Sequence, residues 1–318
     1  MIHFPKTSAE VVSLKGEIRA GGTDLMERRH LGISRGDLID VRDVPDLDRV
    51  TPITTGPLAG GRRVGARSIL ANLARDPDLL KNYKSLAHTA GGLATPEIRA
   101  VATLGGSLTQ RVRCWYYRNS EFDCLKKGGS TCFARQGDHL YHSCFDLGPC
   151  VAPHPSSMGL ALLAYDAQVV VEGGTGRGMA EFFGDGTDPR RENRLEPGAL
   201  ITAIDLPVPW EGERTAYFRS ISRARAEWPL VEVVVRLKGV EVVTDVRVVV
   251  GGVANIPLRL LQVEQAIIGK PFDSKYFEDA VALSGQGARP LPMTTYKVEL
   301  LPPTVLETLE RALKGGVS

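Results

Sequence analysis

Five cysteines, Cys114, Cys124, Cys132, Cys144 and Cys150, fall in one segment of a 318-residue chain and nowhere else. Their number is odd, and the N-terminal run Met-Ile-His-Phe-Pro-Lys lacks the apolar core of a secretory signal, so a disulfide framework is not expected. Thiols gathered in this way suit a metal site or a reactive centre; the plain alternative is a set of free, partly buried thiols in a loop. From about residue 109 to residue 155 the chain carries turn-formers such as Lys126-Lys127-Gly128-Gly129-Ser130 and no sustained period. A stretch of that length without regular structure is functional or disordered. Trp115, Tyr116, Tyr117, Phe122, Phe133, Tyr141 and Phe145 argue against disorder, so a metal centre is expected to order it.

Two other places offer backbone chemistry. In Ala20-Gly21-Gly22-Thr23-Asp24-Leu25, a glycine doublet joins a strand candidate, Glu17–Ala20, to a helix start at Thr23-Asp24. Amides freed by glycine, ahead of a helix N-terminus, favour anionic oxygens such as those of a pyrophosphate. In Ala102-Thr103-Leu104-Gly105-Gly106-Ser107-Leu108, a strand over Val101–Leu104 is expected to run into the second doublet. Two such loops suit the two ends of a dinucleotide; two unrelated tight turns are the plain reading. Neither loop is a GxGxxG fingerprint or a P-loop, which disfavours Rossmann and nucleotide-hydrolysing folds.

The elements around these loops read as short strands and helices. Strands are expected at Asp37–Val41, Gly61–Ala66, Ala167–Glu172 and Ile201–Leu206, with helices from Ser68 as N-cap to Ala74, over Leu79–Ala90 and over Leu160–Leu163. A polar stretch, Phe183–Pro197, breaks the pattern, and Pro207-Val208-Pro209-Trp210 reads as a domain linker. Beyond it lie strands at Thr215–Ser220, Glu232–Leu237 and Val242–Val250, then helices at Leu260–Ile268, Tyr276–Ser284 and Pro303–Lys314. Strands followed by helices imply a small α+β domain.

A length of 318 residues suits two domains, and 43% hydrophobic with 24% charged residues is ordinary for a chain with a sizeable core. The net charge of +2 excludes a strongly basic nucleic-acid binder. No membrane span is expected, because Leu160–Val171 is broken by Asp166 and Val231–Val250 by Glu232, Arg236 and Lys238.

Taken together, these stretches resemble the FAD-binding (medium) subunit of the xanthine dehydrogenase family of molybdenum hydroxylases. The likeness is carried by Ala20–Leu25 with Leu38-Ile39-Asp40-Val41, by Glu97-Ile98-Arg99 with Ala102–Leu108, and by His154-Pro155-Ser156-Ser157-Met158. It continues through Gly251-Gly252-Val253-Ala254 with Pro257-Leu258-Arg259, and through Tyr296-Lys297-Val298. The resemblance implies an α+β fold: a two-subdomain FAD-binding domain of the p-cresol-methylhydroxylase type over residues 1–210, then a small α+β domain over 211–318 like the CO dehydrogenase flavoprotein C-terminal domain. It implies that FAD meets Ala20, Gly21, Gly22, Thr23, Asp24 and Leu25 in the first loop and Thr103, Gly105, Gly106 and Ser107 in the second, with Ser157 and Lys297 as further contacts. Two departures stand out. Ser107 occupies a position where the family has Asn, and a Pro-Ser-Asp pattern reads Pro155-Ser156-Ser157 here. Arg223, Arg225 and Glu227 approach the flavin edge by analogy alone.

The cysteine segment is similar to the inserted loop of 4-hydroxybenzoyl-CoA reductase and of bacterial aldehyde oxidoreductases in the same family, at Arg113-Cys114, Asp123–Gly128, Thr131-Cys132 and Pro149-Cys150-Val151. That resemblance implies a [4Fe–4S] cluster on Cys114, Cys124, Cys132 and Cys150, in the pattern C-x9-C-x7-C-x17-C, with Cys144 left free. Four thiolates are the usual ligand set, and Arg111, Arg113, Arg118, Lys126, Lys127 and Arg135 outnumber Glu121, Asp123 and Asp138, lowering the cost of an anionic centre. Structural zinc and a nucleic-acid surface are the competing readings. The implied function is an electron-transfer subunit, cytoplasmic and free of nucleic acid and membrane. It would exchange electrons with a molybdenum cofactor on a large subunit through [2Fe–2S] clusters on a small one, and with ferredoxin or NAD outside. Its rivals are a stand-alone flavin oxidase and a zinc-stabilised binding module without redox activity.

Overall fold

The computed structural model describes residues 1–224 and 226–315. Its first unit is a three-stranded parallel sheet of β1 (Ile2–His3), β2 (Glu17–Arg19) and β3 (Leu38–Asp40), in the order β1-β3-β2. Helices α1 (Ser8–Ser13) and α2 (Leu25–His30) make the crossovers that parallel pairing requires. Val11, Ile39, Val41, Val44, Leu47 and Leu200 form its small core.

The second unit is an antiparallel sheet of five strands in the order β4-β5-β8-β6-β7: β4 (Val50–Pro52), β5 (Arg62–Gly65), β6 (Gln168–Val171), β7 (Arg177–Gly178) and β8 (Ile201–Leu206). Helices α3 (Leu70–Leu73), α4 (Pro77–Asn82), α5 (Lys84–Gly92), α6 (Pro96–Arg99) and α7 (Leu104–Thr109) follow β5; the cysteine segment holds only α8 (Trp115–Arg118) and two short 3-10 turns. After it come α9 (Ser157–Ala164) and α10 (Met179–Phe183). Every residue of α9 is buried, which suits its uncharged, largely apolar sequence.

The third unit is an antiparallel meander, β12-β11-β10-β9, made of β9 (Arg214–Ser220), β10 (Val231–Gly239), β11 (Val243–Gly251) and β12 (Leu258–Arg259). Helices α11 (Leu261–Ile267), α12 (Glu278–Val281) and α13 (Thr295–Leu313) complete it. Val233, Val235, Val248 and Val250 pack in the core with Leu301, Val305 and Leu309 of α13, while Val234, Val249 and Tyr217 join the core built by α5 and α9. The sheet is covered on both faces, which is why its strands read as continuous valine runs.

Arg236 of β10 is the polar exception in that wall. Its guanidinium lies 4.1 Å from the Tyr165 ring and 4.0 Å from the Trp210 ring, donates to Glu213 at 2.5 Å and to the Ala164 carbonyl at 2.8 Å, and is only 1% exposed. The sandwich fixes the meander against the end of α9.

Several local expectations are corrected. Val101–Leu104 is not a strand: the chain leaves α6 in a turn, Thr103 caps α7, and both Gly105 and Gly106 lie inside that helix. Ser68 does not cap α3; Ile69 holds that position, and Ser68 bonds the Asp48 carbonyl instead. The expected Leu79–Ala90 helix is divided at Tyr83, whose hydroxyl reaches the Pro207 carbonyl at 2.8 Å. Tyr276–Ser284 resolves into α12 between two 3-10 turns, and α13 begins at Thr295, running through Pro302 and Pro303 because its buried face packs on the meander. No helix among the described residues is long and apolar enough to cross a membrane.

Arg236→Ala should cost about 3 kcal/mol in urea unfolding, because it strands the Glu213 carboxyl in the junction. Arg236→Met combined with Glu213→Gln should recover most of that loss. Equal losses in the two variants would show that the ion pair is not what matters there.

Candidate functional site

The first glycine loop sits where β2 ends. A Cβ on Gly21 would fall 2.0 Å from the Val101 carbonyl oxygen, so the loop lies directly on the chain entering α7, and Gly22 takes φ +73°, a conformation that favours glycine. The two loops are therefore in backbone contact. Among the described residues, no protein acceptor meets the amides of Gly21, Gly22, Thr23, Asp24 or Leu25. Three adjoining hollows share Ala20 and Thr103; the largest is about 460 Å³ and also includes Gly105, Gly106, Arg28, Thr109 and Arg111. Gly21–Leu25 themselves line the smallest of the three, about 60 Å³, and unpaired amides there make an anion cradle beside the larger hollows.

The second loop contributes less than its sequence suggests. The Gly105 amide already donates to the Ala66 carbonyl at 2.7 Å, and the Gly106 amide donates to Thr103 Oγ1 at 3.2 Å. Gly105 is buried against Ala66, while Gly106 is exposed on the groove. Ser107 turns inward, 3.2 Å from Ser156 Oγ, and takes no part in the groove.

Asp24 lines the groove, and its carboxylate gathers arginines from α2 and from the cysteine segment. It accepts from Arg118 at 2.5 Å, from Arg28 at 2.9 Å and from the Arg111 amide at 3.3 Å, with Arg113 at 3.4 Å. Burial alone would raise its pKa; the Arg118 hydrogen bond, the charges of Arg118 and Arg113 and the Arg28 hydrogen bond outweigh that and hold it below the usual carboxylate range.

Beyond this junction the thiols gather. Cys124 and Cys150 share a small core with Val112, Tyr117 and Ala152, and Cys114 packs against it. Cys132 is hydrogen-bonded to Cys150, which favours losing the first proton from the pair at Cys132, and Arg135 adds its charge there. Burial pushes the Cys114 thiol up to about 11. Cys144 stands apart, fully buried in the core of the meander and its helices. Lys126, Arg135 and Arg111 are not free charges: Glu192 takes Lys126 at 3.3 Å and Arg111 at 3.0 Å, and Asp146 takes Arg135 at 2.6 Å. Among the described residues, no three His, Cys, Asp or Glu side chains lie close enough together to hold a single metal ion.

A second cavity of about 320 Å³ opens between the cysteine segment, residues 153–155 and the meander. Cys114, His142, His154, Trp228, Glu232 and Gly252 are among its walls, and the exposed Trp115, Tyr141 and Trp228 border it. Ser157 and Lys297 support these walls from behind. Ser157 hydrogen-bonds Glu232, whose buried carboxyl accepts from Tyr217 at 3.0 Å and is raised in pKa by burial. Lys297 is 1% exposed, donates to the Gly252 carbonyl at 2.6 Å and the Tyr141 carbonyl at 3.2 Å, and is pushed down to about 8 by burial. It is a wall support, not a solvated lysine. Glu227 lines the cavity but folds back to Ser222 and the Arg223 amide; Arg225 lies outside the described residues.

Sequence reasoning missed Arg28, Thr109 and Gln110 on the groove, and Glu192 and Glu232. Spacing held a signal for the first three: Arg28 is one helical turn after Asp24, and Thr109 and Gln110 one turn after Gly106. Glu192 and Glu232 become visible only when distant segments meet.

Asp24→Asn keeps the side chain's shape and removes its charge. Its depressed pKa means that Asp24 contributes stability above the unfolded carboxyl value of about 4, lost as the pH falls through the lower folded value. The variant should be less stable than wild type at pH 7 and show a flatter stability profile between about pH 5 and pH 3; an unchanged profile would remove Asp24 from this role.

Comparison with known proteins places the chain. Residues 2–209 match the FAD binding domain in molybdopterin dehydrogenase, and residues 216–312 match the CO dehydrogenase flavoprotein C-terminal domain. The aldehyde oxidoreductase FAD-binding subunit PaoB of Escherichia coli is 32% identical over 305 residues, covering 92% of this chain and 90% of that protein. The carbon monoxide dehydrogenase medium chain of Hydrogenophaga pseudoflava is 23% identical over 290 residues, covering 87% and 83%. A solved carbon monoxide dehydrogenase from the same organism shares the fold at TM-score 0.77 and 20% identity, over 99% of this chain and 98% of that one. The two matched domains follow one another over nearly the whole chain, so the chain belongs to the FAD-binding medium subunits of the xanthine dehydrogenase and CO dehydrogenase family of molybdenum enzymes.

Proposed function

We propose that this chain carries FAD in its groove and a [4Fe–4S] cluster on Cys114, Cys124, Cys132 and Cys150. It would relay electrons between the molybdenum and [2Fe–2S] subunits of a larger complex and an outside carrier, ferredoxin or NAD. The observation that carries the reading is the adjacency of two places: the four thiols lie together, Cys144 lies elsewhere, and Cys114 also lines the second cavity. The unpaired amides of Gly21–Leu25 suit the pyrophosphate, and the second cavity suits the isoalloxazine ring. When bound, flavin exchanges one or two electrons and the cluster one, which suits a junction between carriers.

This chain's own residues bind, orient and exclude water. Gly21 and Gly22 let amides approach phosphate, and Gly106 keeps the facing wall open. Asp24 with its arginines fixes the groove against the cysteine segment. The stack of Tyr116, Phe122 and Phe133, with ring centroids 5.1 to 6.2 Å apart, shields the segment from solvent. Zinc would take four thiolates on one ion, whereas a four-iron cluster takes each thiolate on a separate iron.

Visible spectra and iron analysis of protein purified without air test the reading. Flavin bands with a broad iron–sulfur shoulder are expected; flavin alone returns the flavin-oxidase reading, and zinc without colour the binding module. Gly106→Val should cost most of the FAD, because a branched side chain crowds Thr103 Oγ1 and fills the groove. Cys150→Ser should lose iron and destabilise the chain, while Cys144→Ser keeps roughly full iron. The reverse order would overturn the ligand set.

A further inference from the structure

We infer that His142 is the hydrogen-bond donor to the Cys114 sulfur of the iron–sulfur centre, and thereby a positioning residue that sets the centre's reduction potential at its corner nearest the flavin cavity. The inference rests on the cluster reading above and goes beyond it, since the four thiolates complete a ligand set without any histidine.

His142 Nε2 lies 3.2 Å from Cys114 Sγ, and the ring is 5% exposed. The other ring nitrogen, Nδ1, is buried and meets no partner. That asymmetry fixes the chemistry. An iron-bound thiolate has no proton to give, so the contact is a hydrogen bond only when Nε2 carries the hydrogen. Nδ1 then holds a lone pair, and a buried acceptor without a partner is tolerated more often than a buried N–H.

The ring's position is held on both sides. The His142 amide donates to the His139 carbonyl at 2.9 Å, and the Ser143 amide donates to the Val151 carbonyl at 2.9 Å, one residue beyond Cys150. Cys144 and Phe145 both donate to the Val253 carbonyl at 2.9 Å, Tyr296 Oη reaches the Leu140 carbonyl at 2.9 Å, and Lys297 reaches the Tyr141 carbonyl at 3.2 Å. A side chain carried on a segment tied to two units keeps its distance from a ligand better than one on a free loop.

Cys114 also differs from the Cys132–Cys150 pair. Cys132 and Cys150 have each other, with Arg135 and Lys126 nearby; Cys114 has backbone amides and, among the described side chains, His142. Both Cys114 and His142 line the second cavity. Hydrogen bonds to cluster sulfurs favour the reduced, more negative state and raise the potential. The corner from which an electron crosses to the cavity is therefore the one whose charge this donor sets.

The experiment uses the whole chain, purified without air as wild type, His142→Phe and His142→Gln. Iron per protein, FAD per protein, the EPR spectrum of the reduced cluster and its midpoint potential are measured for each. His142→Phe should keep iron, FAD and the EPR signal, while the one-electron reduction equilibrium falls about tenfold, ~59 mV in potential. His142→Gln, whose amide also donates, should recover part of the fall. An intact cluster with an unchanged potential in both variants overturns the role of His142 alone. Loss of iron in both would overturn it differently, by making His142 a ligand or a scaffold. Wild-type protein without iron would overturn the cluster reading and this inference together.

Discussion

A single buried carboxylate holds the two halves of the site in register. Asp24 stands at the start of α2, within the first glycine loop, and gathers Arg28, Arg118 and Arg113 with the Arg111 amide. Arg28 comes from the same helix; the others come from the two ends of the turn that carries Cys114. Charge-assisted bonds of this kind are short and directional, and burial leaves their partners nowhere else to go. Groove and thiols are thus parts of one rigid network. Arg113 extends it further, with its guanidinium 5.0 Å from the Trp228 ring at the edge of the second cavity.

The second cavity depends on a different kind of constraint. Its floor is the meander, and a strand buried on both faces cannot shift without reopening two cores. The Arg236 sandwich and the valine runs hold that sheet in place, so Glu232 and Gly252 form a fixed wall. Ser157 braces the wall from α9 and Lys297 from α13. Ser157 of α9 carries no charge, so Glu232 of β10, to which it hydrogen-bonds, is the acid in this corner.

Much of this was legible in the residues. Strand-type residue runs located β3, β5, β8, β9, β10 and β11 to within a residue or two; that Cys144 stands apart from the other thiols came from the resemblance, since spacing alone does not distinguish it. Local pattern failed at the second glycine doublet. Glycines in a row read as a turn, yet Thr103 supplies a cap and the Ala66 carbonyl takes the Gly105 amide, so a helix forms through them. It failed again at Lys297, where tertiary burial overrides the ordinary habit of lysine. Glu192 and Glu232 carried no local signal, because their partners are supplied by segments far away in sequence.

The stitching of residues 143–145 to Val253 bears on how such a chain changes over generations. Cys144 and Phe145 belong to the core of the C-terminal unit, and the Cys144 carbonyl accepts from Arg289. The cysteine segment is therefore not a module that can be excised at its ends. A descendant that lost it would uncover a hydrophobic interior in a neighbouring domain, and an ancestor that gained it had to rebuild that interior around it. Acquisition or loss of the segment is thus tied to matching substitutions beyond residue 250, a correlated trace to look for when its history is reconstructed.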